Sequence, residues 1–128
     1  MGRWLRRYHP GEIIVGKPGA IGRHGADWIT VNAASGAVSL WDAKFRMFAR
    51  NVRMSKTFAK TGNTNPLMNA VDEAERIIRH QTGGILTFAQ QRSALYSLRK
   101  YGTGFNLHTV GFGRADNWVR DMEVVRWW

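Results

Sequence analysis

Two short segments carry residues whose types and spacing can do chemistry. The run AVSLWDAK (37–44) reads as a strand, along which side chains alternate faces. Asp42 and Lys44 then share a face with Val38 and Leu40, while Ser39, Trp41 and Ala43 share the other. A carboxylate and an ammonium thus stand two residues apart on a surface that is otherwise apolar. The run ADWITVN (26–32) is β-branched and aromatic, reads as another strand, and carries Asp27 at its start. A turn at AASG (33–36) joins the two as an antiparallel hairpin, pairing residues whose numbers sum to about 69. That register sets Asp27 opposite Asp42, with Lys44 beside them. Two converging carboxylates suit a hard divalent cation, which takes oxygen ligands from one or two carboxylates, water and substrate phosphate. The cation lowers the pKa of bound water and neutralises charge on an attacked phosphodiester. A neighbouring lysine orients that water or stabilises the developing charge. A plain cross-strand ion pair is the other reading of the same residues, worth about 0–1 kcal/mol when exposed.

The charge balance selects a partner class. The 128 residues include 19 Lys+Arg against 9 Asp+Glu, a formal net charge of +10. Such a surplus in a small folded chain points to a polyanion: nucleic acid first, an acidic protein second, an anionic membrane surface third. The densest basic region runs from Lys44 to Lys60. Within it Arg46, Arg50, Arg53, Lys56 and Lys60 are candidate phosphate contacts leading away from the Asp–Lys pair. Of the acids, Asp72, Glu73 and Glu75 suit the first turns of a helix, and Asp116, Asp121 and Glu123 fall late in the chain. Glu12, Asp27 and Asp42 stand isolated in apolar or Gly-rich surroundings. Cysteine is absent, which excludes disulfides, thiolate zinc sites and cysteine nucleophiles. GKPGAIGRHG lacks the Walker spacing. No apolar run approaches the roughly 20 residues of a membrane span, and the N-terminus lacks the apolar stretch of a secretion signal. The four histidines show no metal-ligand spacing. His24, three residues before Asp27, reads as an accessory acid–base group or as an ordinary turn histidine.

The elements that must position these residues follow from pattern. Residues 1–9 form a short helix or a basic arm. Residues 10–25 are Gly- and Pro-rich loop with a short strand at Ile13–Val15. After the hairpin, residues 45–54 interleave basic side chains with Phe45, Met47, Phe48 and Val52, as a third strand or a bent extension. Asn65-Pro66 starts a helix, with Leu67, Val71, Ala74 and Ile78 at helical spacing through residue 81. A second helix spans residues 86–101 and stops at Gly102. Phe105–Phe112 and Trp118–Trp127 read as two more strands. The fold class is α+β (α/β-like): one domain over residues 1–128, with a mixed sheet flanked by helices. The six tryptophans are chiefly core, with base stacking as the alternative use.

At this point a family comes into view. Gly25-Ala26-Asp27, an intervening hairpin and Asp42-Ala43-Lys44 resemble the PD-(D/E)XK nuclease signature, with Ala26 in place of the leading proline. The wider stretch GRHGADWITVNAASGAVSLWDAKFR is similar to a subset of these nucleases that serve as C-terminal toxin domains of bacterial polymorphic and contact-dependent inhibition systems. The resemblance covers residues 20–60, around a third of the chain. It implies a restriction-endonuclease-like core, phosphodiester hydrolysis and a divalent metal ion, Mg²⁺ first and Mn²⁺ or Zn²⁺ otherwise. Asp27 and Asp42 are then metal ligands, and Lys44 positions water or stabilises charge. Many members also use an upstream glutamate from the first helix. Glu12 is the one acid before Asp27, although Pro10 and Gly11 argue against a helix there. The glutamine that some members carry on the helix after the catalytic strands falls to Gln90 or Gln91.

The resemblance further implies export as the C-terminal part of a larger bacterial protein and action in the cytoplasm of a target cell. Absence of cysteine suits that reducing compartment. An acidic immunity protein would then cover the basic face. DNA stands slightly ahead of tRNA as substrate. Two rivals remain: a homodimeric Holliday-junction resolvase or repair nuclease of the same superfamily, and a non-catalytic basic nucleic-acid-binding module.

Overall fold

The computed structural model describes residues 1–16, 28–55, 65–80, 84–99 and 105–126. In chain order the elements are α1 (Gly2–Tyr8), β1 (Glu12–Gly16), β2 (Trp28–Asn32), β3 (Val38–Arg46), a 3-10 turn (Ala49–Asn51), α2 (Asn65–Arg79), α3 (Phe88–Arg99), β4 (Phe105–Gly113) and β5 (Val119–Arg126). The strands form one sheet in the order β1-β2-β3-β4-β5. Neighbours are antiparallel except β3 and β4, which run parallel. That exception follows from the chain: α2 and α3 lie between β3 and β4, and parallel strands need such a long crossover.

The β2–β3 hairpin adopts the expected register, with Trp28 opposite Trp41 and Ile29 opposite Leu40. Its turn is held by Asn32, whose Oδ1 accepts from the backbone N–H groups of Ala34 (3.0 Å) and Ser35 (2.9 Å). Gly36 closes the turn at φ +74°, and a Cβ there would collide with Ser93 on α3. Glycine is thus needed both for the left-handed backbone and for the close approach of the helix.

Alternation sorts the sheet's residues into two cores. On one face Ile29, Val31, Val38, Leu40 and Leu107 are buried beneath α2 and α3, which contribute Leu67, Val71, Ala74, Ile78, Ala94 and Leu98. On the other, Trp41 and Val110 bury Leu5 of α1, with Trp4, Ile14, Trp28 and Phe112 around them. Trp41 is fully enclosed, and its indole N–H donates to Thr30 Oγ1 (2.8 Å). The result is a five-stranded mixed sheet with helices on both faces in a single α+β domain. Among the described residues no helix is long and apolar enough to cross a membrane.

Among the described helix starts, α3 carries a side-chain cap, whereas α1 has none. At the start of α3, Thr87 Oγ1 accepts from Gln90 N (3.1 Å) while Gln90 Oε1 accepts from Thr87 N (2.9 Å), a reciprocal capping box. The acids of α2 depart from expectation. The helix begins at Asn65 with no acid in its first turn. Glu73 and Glu75 instead pair with Arg76 (2.7 Å) and Arg79 (2.9 Å) on the exposed side. The hydrogen bond that the Arg76 guanidinium donates to Glu73 holds it above its ordinary pKa. Residues 45–54 are the bent extension, not a third strand. β3 runs on to Arg46, the chain turns at Ala49–Asn51, and residues 52–55 are irregular.

Candidate active site

β3 does place Asp42 and Lys44 on one face, that of the α2/α3 core. Val38 and Leu40 are buried under the helices, and the strand then emerges into partly exposed positions. Asp42 Oδ2 lies 3.4 Å from Lys44 Nζ, with side chains 14% and 30% exposed. Register across the sheet aligns Asp42 with Thr109 and Met122 in one row, and Lys44 with Gly111 and Arg120 in the next. Thr109 is fully buried; its Oγ1 accepts from Ser55 N (2.9 Å) and lies 3.1 Å from Met54 Sδ. These contacts bring residues 52–55 down over β4 beside the Asp–Lys pair.

The bend is anchored from the β4–β5 turn. Asp116 Oδ2 accepts from Ala49 N (3.1 Å), and its Oδ1 from Trp118 N (3.1 Å). The backbone N–H groups of Arg114 and Ala115 donate to the carbonyls of Arg46 and Met47 (2.9 Å each). Arg46, Arg50 and Arg53 are all exposed on or beyond this bend. The Arg50 guanidinium stacks over the Phe48 ring at 4.9 Å.

Asp27, His24, Lys56 and Lys60 lie outside the described residues. Glu12 is described, and the structure does not bring it to the Asp42–Lys44 pair. It opens strand β1 and is not helical, which agrees with Pro10 and Gly11 arguing against a helix there, and it lies on the opposite face of the sheet. There its Oε1 accepts from Thr30 Oγ1 (3.2 Å) and Ser39 Oγ (3.3 Å), while Oε2 is buried without a hydrogen-bond partner. Gln91 is also held elsewhere. Its amide donates to the carbonyls of Ile78 (2.7 Å) and Arg79 (3.0 Å), closing the C-terminus of α2. Gln90 belongs to the capping box of α3. A hard cation needs oxygen donors, and Asp42 supplies one partly buried carboxylate at this place. The described residues hold no group of three or more His, Asp or Glu side chains arranged for a metal ion.

Two features escaped the sequence reading. Arg120, on β5, lies on the same face as Lys44, and its Nη1 donates to the carbonyls of Arg50 (3.1 Å) and Val52 (3.2 Å). On the other face, His108 Nδ1 and His9 Nε2 both approach Asp121, at 2.9 and 3.6 Å. His108 stacks on Trp41 with ring centroids 3.8 Å apart. The His108–Asp121 proximity was available from the β4–β5 hairpin register. His9 was not, because only tertiary packing of α1 brings it there.

No family model matches the chain, and neither do curated proteins or solved structures at a significant level.

Proposed function

We propose that the protein is a metal-dependent endonuclease that hydrolyses phosphodiester bonds of nucleic acid, with DNA ahead of tRNA. The observation that carries this reading is the Asp42–Lys44 pair. The Asp42 carboxylate and the Lys44 ammonium lie 3.4 Å apart on β3, beside a bend rich in exposed arginines. On a surface suited to phosphate, a carboxylate weakens anion binding unless it has a task of its own. Holding a cation is such a task. Asp42 would take the metal together with Asp27, in keeping with the D…D-x-K resemblance, and the bound metal would supply an activated water and charge neutralisation. Lys44 would orient that water or stabilise the charge that develops on the attacked phosphate. Arg46, Arg50 and Arg53, continued in sequence by Lys56 and Lys60, would hold the backbone by charge-assisted hydrogen bonds. A mixed sheet flanked by helices is among what the PD-(D/E)XK resemblance implies, and at that coarse level the fold supports the reading. The same resemblance supports a toxin domain, exported as the C-terminal part of a larger bacterial protein and blocked by an acidic immunity protein over the basic face.

The test is incubation of the purified protein with supercoiled plasmid and with total tRNA, with Mg²⁺, Mn²⁺ or Zn²⁺, with and without chelator. Cleavage that chelator abolishes and Asp42→Asn removes is the expected result. Failure to cut either substrate with any of the three metals overturns the reading and leaves a binding module. A dimer in solution would favour the resolvase alternative.

A further inference from the structure

Arg120 lies far in sequence from the basic run, yet the fold joins it to that run. Its Nη1 is fixed by the carbonyls of Arg50 and Val52, which leaves the remaining N–H groups of the guanidinium to be used elsewhere. Arg50, Arg53 and Arg120 line one open cleft of ≈ 660 Å³, with Met54 and Met122 also in its walls and no acid among the described lining residues. Like charges gathered in one cleft repel, and none of the three has a carboxylate partner among the described residues. An anion is therefore what completes the cleft. Guanidinium forks match phosphate oxygens in particular, because they bind them through paired N–H groups.

Position relates the cleft to the candidate active site. Met122 shares a row with Asp42, and Arg120 shares a row with Lys44. Each is two interstrand steps away, about 10 Å. Val52, buried against Gly111 of β4, lines the cleft between them. A strand held in the cleft would have only that short distance to cover to reach the Asp–Lys pair.

We propose that the cleft lined by Arg50, Arg53 and Arg120 anchors the phosphodiester backbone of the nucleic acid a short way along from the bond to be cut. The proposal rests on the nuclease reading for the identity of the substrate. It is read out by binding, so that the two can fail separately. The probes are fluorescein-labelled 20-nucleotide single-stranded DNA and RNA of one sequence, titrated in EDTA over a range of NaCl concentrations and followed by anisotropy. Each phosphate neutralised contributes about −0.7 to the slope of log K against log salt for a single strand. Arg50→Gln, Arg53→Gln and Arg120→Gln should each flatten the slope by about that amount and weaken binding several-fold at fixed salt. Arg92→Gln, on α3, should change neither. Circular dichroism shows whether Arg120→Gln still folds; if it does not, the Arg50 and Arg53 variants, which keep the Arg50 and Val52 carbonyls that hold Arg120, carry the test. Stronger retention of DNA or of RNA tells which backbone the cleft prefers. Folded Arg50 and Arg53 variants that bind as the wild type does, or an equal loss in Arg92→Gln, would overturn the cleft. Loss of binding in a protein that cuts nothing would keep the cleft and remove the nuclease.

Discussion

Val52 rests directly on Gly111: a Cβ at Gly111 would lie 2.5 Å from Val52 Cβ. This contact lets the chain after the bend lie flat on β4, and it fixes where Ser55 meets Thr109, the neighbour of Asp42 in the sheet. Gly111→Ala forces Val52 upward. The expected cost is about 1–3 kcal/mol, the usual range for overpacking a core. Thermal unfolding should show a lower Tm. Any cleavage activity should fall further than stability explains, because the wall beside Asp42 moves; an unchanged Tm would mean the segment yields without strain.

The Asp42–Lys44 ion pair should matter little for folding. Both groups are partly exposed, and such a pair contributes about 0–1 kcal/mol. Asp42→Asn and Lys44→Gln are therefore expected to unfold at close to the wild-type urea midpoint. Both should lose metal-dependent cleavage by about 10²-fold or more, the scale of removing one electrostatic stabiliser of the transition state. A large shift in midpoint with cleavage intact would make the pair purely structural.

Much of the frame was legible because its signals are local. The β2–β3 register follows from the turn at Asn32–Gly36 and the alternation on either side, and the Leu67–Ile78 spacing marks α2. What was not legible depends on tertiary packing. The bend at Ala49–Asn51 is held by Asp116, 67 residues away, so no local pattern distinguishes it from a strand. Arg120 read as one more surface cation until the bend was laid over β5. Glu12 was an isolated acid in a Gly/Pro-rich stretch. Its face depends on the pairing of Glu12 on β1 with Asn32 on β2, which turns the carboxylate toward Thr30 and Ser39.

Asp121 ties α1 to the sheet through two imidazoles. The ionised carboxylate only accepts, so His108 Nδ1–H donates to Oδ1 at 2.9 Å, and His108 is buried against Trp41. Asp121→Ala leaves a buried donor unpaired and should cost about 1–3 kcal/mol. Near-UV circular dichroism should change as well, because the stacked indole of Trp41 loses its fixed partner. His9→Ala should cost less, since the His9–Asp121 contact is 3.6 Å and a third of the His9 side chain is exposed. Equal losses in the two variants would contradict this ordering.

Gln91 separates a structural amide from a substrate contact. Two carbonyls at the end of α2 depend on its Nε2. Gln91→Ala frees both and should lower stability by about 1 kcal/mol, because water replaces only the more exposed bond. Assayed well below its Tm, the variant should cut as fast as the wild type. A loss of cleavage rate in the fully folded variant would restore Gln91 as an accessory residue of the site.

Glu12 gives the sharpest separation of packing from catalysis. One carboxylate oxygen accepts from two hydroxyls, and the other is buried without a partner. Glu12→Gln retains a carbonyl for Thr30 and Ser39 and removes the formal charge from the unpartnered position. A neutral amide costs less to bury than an ionised carboxylate. Stability near neutral pH should therefore hold or rise by up to about 1 kcal/mol, whereas Glu12→Ala, which strands both hydroxyls, should lose about 1–3 kcal/mol. Cleavage by Glu12→Gln should match the wild type, since the side chain faces away from Asp42 and Lys44. A folded Glu12→Gln variant that no longer cuts would bring Glu12 back into the reaction and require the sheet to present both faces to the substrate.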